Sequence, residues 1–237
     1  MKKLFLLLIT SHILFGITLV PMTETLETKK KKNIVFKVSN PTSEPVAVDF
    51  SIMKVTDTTN KELREETSLV QAYPTQFVLS PKETKSVRVR YMSNELPAKE
   101  EVYRVIAKEL DIEVTDKKEE NIKGKVGVNI KMRFSYEGLL FIHQKDAKSS
   151  IKIEHIQKDN RGIQLTLANS GNVSDLPSNI NYDYFVTIQG QEYQLQKEDF
   201  KNTSFRRVLA GKSKILSLQN ITTLPIEKIE SMRVEKK

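Results

Sequence analysis

Polar and apolar residues alternate without a break through Ser86-Val87-Arg88-Val89-Arg90-Tyr91. Side chains on a strand point to opposite faces in turn, so Val87, Val89 and Tyr91 share one face and both arginines the other. The first face is core; Arg88 and Arg90 read as solvated or cross-strand charges. Further strand candidates, bounded by turn residues, are Ile17 to Val20, Ile34 to Ser39, Val46 to Val55, Gln76 to Leu79, Val102 to Leu110 and Val126 to Tyr136. No segment sustains an apolar period of 3.6 over a long window, so the fold class is all-β. Seven strands at this spacing suit an immunoglobulin-like sandwich. Asn40-Pro41-Thr42-Ser43-Glu44-Pro45 reads as a turn joining two strands in a hairpin.

A chain of 237 residues is long for one sandwich and suits two domains of roughly 100 residues each. The second is expected from Lys145, after Leu139-Leu140-Phe141-Ile142 and a polar stretch from Gln144 to Ser150. Its strand candidates are Ile151 to Ile156, Ile163 to Ala168, Tyr182 to Ile188, Glu192 to Leu195, Lys214 to Leu218 and Ile229 to Val234, a second β-sandwich without a visible repeat of the first. Residues 1–16 read as a secretory signal, with Lys2 and Lys3 ahead of Leu4 to Ile9. Thr10, Ser11 and His12 interrupt that core, which falls short of the roughly 20 apolar residues of a spanning helix. The domains are then 17–144 and 145–237, soluble outside the cytoplasm and not membrane-embedded after cleavage.

Cysteine is absent, which excludes thiolate catalysis, disulfides and cysteine-based zinc sites. His143 and His155, the only histidines after the leader, have no neighbour at metal-ligand spacing. No Gly-x-Ser-x-Gly, His-Glu-x-x-His or phosphate-cradling loop occurs, and eight glycines leave little material for one. The chain reads as a non-enzyme with no metal and no cofactor. Its net charge of +8 is spread among glutamates, so no nucleic-acid partner is expected, and Lys29 to Lys32 read as a solvated turn. Arg104, Lys108 and Glu109 are expected to form a cross-strand ionic cluster. Asp111 to Lys125 are too charged to pack and read as a mobile loop.

Several motifs fall in a recognisable order: Val20-Pro21-Met22-Thr23, Phe36-x-Val38-x-Asn40 with Glu44-Pro45-Val46-Ala47-Val48, Phe77-x-Leu79-x-Pro81 before Val87-Arg88-Val89-Arg90, Glu101-x-Tyr103-Arg104-Val105-Ile106-Ala107-Lys108-Glu109-Leu110, and Met132-Arg133-Phe134-Ser135-Tyr136. From Ile17 to Ile142 the chain resembles the periplasmic chaperones of chaperone–usher pilus assembly, close to the archaic branch. Asn169-Ser170-Gly171-Asn172 and Val208-Leu209-Ala210-Gly211 extend the likeness more weakly. The resemblance implies two immunoglobulin-like sandwiches in a boomerang, which complete pilus or fimbrial subunits by donor-strand complementation and deliver them to an outer-membrane usher. Val126, Val128, Ile130 and Met132 are the alternating set such a strand inserts into acceptor pockets; the other reading is that they face their own core. The resemblance further implies basic residues holding the subunit's C-terminal carboxylate in the cleft between domains, and puts Arg133 at one such position with Lys131 second. No arginine stands in the first strand and no proline follows Leu110, a departure from the better-known members. The competing class is an exported structural sandwich module without a chaperoning cycle. A free donor edge is also open to a self-capping dimer.

Overall fold

A computed structural model of the chain describes residues 16–27, 33–58, 61–111, 133–159, 162–201, 203–219 and 225–237. The leader, the Lys29 to Lys32 turn, the charged loop and the Val126 to Met132 alternation lie outside these residues, apart from Gly16 and Asp111 at their ends.

The first sandwich pairs two sheets. One runs β1 (Thr18–Val20), β3 (Asn33–Ser39), β8 (Thr84–Tyr91) and β6 (Val70–Tyr73), in that spatial order. The other runs β2 (Thr23–Leu26), β10 (Ser135–Ile142), β9 (Glu101–Glu109), β4 (Val46–Asp57) and β5 (Leu63–Glu66), and β7 (Gln76–Leu79) also pairs with β4. The first strand therefore serves both sheets: β1 is antiparallel to β3, and β2, after the break at Pro21 and Met22, is parallel to β10.

Alternation builds this core as the sequence requires. Phe36, Val38, Val87, Val89 and Tyr91 from one sheet are buried against Phe50, Tyr103, Val105 and Leu140 from the other. The Phe36 and Phe50 rings meet across the sheets at 6.3 Å and a tilt of 52°. Burying each such side chain contributes about 1.5 to 3 kcal/mol. The outward residues Arg88 and Arg90 face Val35 and Asn33 on the solvent side. The expected hairpin over 40–45 is not one: β3 and β4 lie in different sheets, and the segment arches over the end of the sandwich. The buried Asn40 side chain makes this possible by donating to the carbonyls of Glu44 (2.7 Å), Ser80 (3.1 Å) and Leu79 (3.3 Å). β5 and β6 had no sequence signature, because Leu63-Arg64-Glu65-Glu66 and Val70-Gln71-Ala72-Tyr73 are short and β5 is exposed along its length.

The second sandwich stacks β11 (Ile151–Asp159), β12 (Gly162–Asn169) and β15 (Ser213–Gln219) on a sheet ordered β14 (Gln191–Gln194), β13 (Tyr182–Ile188) and β16 (Ile229–Lys236). Leu165, Leu167, Tyr184, Val186, Leu216 and Leu218 are its buried centre.

No repeat is visible in the sequence, yet the two sandwiches share a corner. Asn169 ends β12 as Asn40 follows β3, buried and donating to the carbonyls of Val173 (2.8 Å) and Val208 (3.2 Å). The Asn40 amide donates to the Glu83 carbonyl and the Asn169 amide to that of Lys212, both at 2.9 Å. The partner turns match as well: Glu83 N–H reaches Ser80 O, and Lys212 N–H reaches Leu209 O, each at 3.1 Å. Lys82 and Gly211 occupy the same left-handed position, with φ of 62° and 69°.

Asp175 ties this sandwich to its last strand. Its carboxylate accepts from Lys236 Nζ (2.5 Å), Ser149 Oγ (2.6 Å) and Tyr182 Oη (2.7 Å). Burial alone would raise its pKa, but those donors hold it at about 2, below the ordinary 3.8. A depressed acid pKa stabilises the fold above pH 3.8 and loses that contribution as pH falls toward 2. Asp175→Asn should therefore cost about 2 kcal/mol at pH 7. In urea melts from pH 7 to pH 2, wild type and variant should converge at the acid end; a constant gap would contradict the assignment.

Candidate functional site

The edge strand β10 has β9 on one side along its whole length, but β2 covers only Leu139 to Ile142 on the other. Among the described residues no strand bonds to the outer side of Ser135 to Gly138. An uncovered row of backbone donors and acceptors is a template for another chain. The segment leading into this edge carries Val126, Val128, Ile130, Lys131 and Met132, all outside the described residues.

Glu109 holds the root of that edge. It does not join an ionic cluster with Arg104 and Lys108, because the period of two that buries Val105 and Ala107 carries it inward as well. Its carboxylate accepts from the amides of Ile17 (2.9 Å) and Phe134 (3.1 Å), and its own amide donates to Phe134 O (3.0 Å). The start of β1 and the approach to β10 are thus fastened to the end of β9. Gly16, just before Ile17, has a φ of +79°, and a Cβ there would lie 2.4 Å from the Phe134 ring.

Arg133, exposed, ion-pairs with Asp111 at this same end of the sheet. Phe141, which reaches the cleft between the sandwiches, lies eight residues further along, about 26 Å of extended chain.

The cleft is built from other residues. Val55, Val102, Phe141 and Leu209 form an apolar contact between the outer face of the second sheet and the second sandwich, with Leu139 beside it. Arg207 lies 4.8 Å over the Phe141 ring and donates to Ser174 O (3.0 Å) and Ser174 Oγ (3.2 Å). Glu100 crosses the joint: its amide donates to Asn172 O (2.8 Å) and its carboxylate accepts from the Ser174 amide (3.0 Å). His143 Nε2 sits 3.8 Å from both Glu100 and Glu27. Burial raises the Glu100 pKa, opposed by Ser174, His143 and Arg207.

Beside this joint is a cavity of about 360 Å³ lined by four cations, Arg104, Arg206, Arg207 and Lys214, and one carboxylate, Glu62. Glu62 is committed to Arg104 through two bonds, 2.8 and 2.6 Å, and to Arg64 at 2.5 Å. Hydrogen bonding from Arg104 leads in holding its pKa below the ordinary value. Sequence reasoning missed Arg206 and Lys214. A signal existed for the second, since Lys214 is in phase with Leu216 and Leu218 and all three are buried. Among the described residues no group of His, Asp and Glu is arranged to hold a metal.

The model of the family described as pili and flagellar-assembly chaperone, PapD N-terminal domain, matches residues 20–142. The chain belongs to this family. No curated protein sequence matches it. Among solved structures, it is similar to the class 5 fimbriae chaperone CfaA, with a TM-score of 0.58 and 14% identity, covering 94% of this chain and 99% of that one. It is also similar to the CsuC–CsuE chaperone-tip adhesion subunit pre-assembly complex from archaic Csu pili of Acinetobacter baumannii (TM-score 0.60, 15% identity, 89% and 90% covered). A third is the Salmonella enterica SafA pilin in complex with the SafB chaperone (0.55, 14%, 89% and 87%). At such identities these likenesses speak for the fold alone, two β-sandwiches across nearly the whole chain. As a pilus-assembly chaperone by family, the protein has no described helix long and apolar enough to cross a membrane.

Proposed function

We propose that this chaperone works in the periplasm, binds pilus or fimbrial subunits by donor-strand complementation and passes them to an outer-membrane usher. The observation that carries this reading is that no strand among the described residues bonds to the outer side of Ser135 to Gly138, which only Arg133 and Phe134 separate from the alternating Val126 to Met132 tract. A strand rooted there by Glu109 offers main-chain bonds to an incomplete subunit, while Val126, Val128, Ile130 and Met132 fill its pockets. The similar CsuC–CsuE and SafA–SafB structures hold a chaperone with a tip subunit or a pilin, which supports a subunit as the partner. Residues 1–16 are then a removed signal, and 17–144 and 145–237 the two working domains. Lys131, within the donor segment, and Arg133, just after it, serve as cations for a subunit carboxylate, and Arg133 must exchange its Asp111 partner to do so. Without a subunit the same open edge favours a self-capping dimer.

Coexpression with a subunit encoded beside it should give a soluble one-to-one complex. Ile130→Asp should weaken that complex about tenfold or more, because it places a charge in an apolar pocket. Arg88→Ala, on the solvent face of the other sheet, should leave the affinity within about twofold. Equal effects, or a subunit that stays folded and soluble without this chain, would refute the reading.

A further inference from the structure

We propose that the outer face of the β1–β3–β8–β6 sheet docks on a membrane surface of anionic phospholipid headgroups. Outward positions on this sheet carry three cations, Lys37, Arg88 and Arg90, and three apolar side chains, Val20, Val35 and Tyr73. The remaining outward positions hold only Ser, Thr, Asn and Gln, so no carboxylate stands in the face. Register sets Arg88 between Val35 and Tyr73, and Lys37 beside Val20. Among the described residues none of the three cations makes an ion pair or a side-chain hydrogen bond. Arg88 stands about 7 Å from Arg90 along β8 and about 8 Å from Lys37 on the diagonal. This spacing is within a Debye length of about 8 Å at physiological salt, so the three charges repel and act together. No described carboxylate offsets that repulsion; an anionic partner does.

The apolar members decide between a lipid surface and a protein. Tyr73 is 80% exposed, Val20 57% and Val35 48%. Arg88 separates Tyr73 from both valines, so the face lacks the contiguous, charge-depleted centre that a protein interface buries. A headgroup layer asks for this mixture instead. A tyrosine places its ring at the acyl boundary and its hydroxyl among the headgroups, while arginine stems lie along apolar surface and their guanidinium groups reach phosphates. The chain's net charge of +8, of which Lys2 and Lys3 supply only two, draws it toward such a surface. β10 belongs to the other sheet, so its outer side stays accessible while this face lies against lipid.

The chain without its leader, residues 17–237, should co-sediment with vesicles of equal parts phosphatidylglycerol and phosphatidylcholine, and not with phosphatidylcholine alone. Raising the salt from about 0.05 M to about 0.5 M should weaken binding about tenfold or more. Arg88→Gln with Arg90→Gln should weaken it about tenfold or more at low salt. Lys152→Gln with Lys212→Gln, at exposed lysines of the second sandwich, should change it less than about threefold. Lys37→Gln carries the test if the arginine pair fails to fold. A nitroxide quencher at the headgroup–acyl boundary should quench tyrosine fluorescence, and Tyr73→Phe should remove most of that quenching. Equal losses in the two double variants would leave only net charge at work and overturn the proposal, as would quenching that survives Tyr73→Phe. Absence of binding to the phosphatidylglycerol vesicles overturns it too, and retention on polyglutamate in that case would give the face to an acidic protein. Ile130→Asp should leave vesicle binding unchanged, so the face and the donor-strand reading fail separately.

Discussion

Asn169→Ala is expected to cost the second sandwich about 3 kcal/mol, and Asn40→Ala a similar amount in the first. Each side chain is buried and fully used. Asn169 Oδ1 accepts from the amides of Ser150 and Gly171, both at 3.0 Å, while its Nδ2 serves two carbonyls. Asn40 Oδ1 accepts from Thr42 N (3.0 Å) and Thr42 Oγ1 (2.6 Å), while its Nδ2 serves three carbonyls. Alanine removes these bonds and strands backbone groups where water cannot reach them all. Asp in either place should do no better, since it loses the donor and buries a charge. Urea melts of each variant provide the measurement. A loss below about 1 kcal/mol in both would show that the corner is not what fixes the arch.

The shared corner explains why half of the architecture was readable and its repetition was not. Phe36-x-Val38-x-Asn40 and Leu165-x-Leu167-x-Asn169 obey the same alternation, which sequence shows directly. Their partner turns agree in backbone role while differing in letter, Lys82 against Gly211 and Ser80 against Leu209. Carbonyls and amides make the matching bonds, and any residue carries those. Only the asparagine must be conserved in type, too little for a repeat to be seen. The arch over 40–45 reads as a hairpin in sequence for a related reason. Turn chemistry in Asn40 to Pro45 shows that the chain reverses, but the sheet that receives β4 is set by β9 and β7, more than 25 residues away.

The site was legible to the extent that parity carried it. Alternation puts Glu109 in phase with Val105 and Ala107. Residue type misleads there, since a carboxylate between Lys108 and Leu110 reads as a surface charge. The cleft was not legible at all. Val55, Val102, Phe141 and Leu209 are scattered across more than 150 positions, and only the docking of two sandwiches makes them neighbours. The place of Arg133 beside an alternating strand is visible in sequence, but which end of that strand meets the second domain is decided by contacts at Phe141.

Glu109→Ala should cost about 3 kcal/mol and impair subunit capture beyond what the stability loss explains. Two amides, Ile17 N and Phe134 N, depend on this one carboxylate. Charge-assisted bonds of this kind are stronger than neutral ones, and alanine leaves both donors without a side-chain acceptor in a buried setting. Glu109→Gln keeps one acceptor oxygen, so it should lose about half as much. Amide exchange at Phe134 should quicken in both variants, more in the alanine. On the donor-strand reading proposed above, the functional consequence follows from position: Phe134 is the last residue before β10, and a donor segment is held in register only if its root is. Subunit affinity should therefore fall even at temperatures where the variant remains folded. Unchanged exchange at Phe134 together with unchanged affinity would mean that the backbone bond from Glu109 N to Phe134 O suffices to hold the root, and the carboxylate would lose its assigned role.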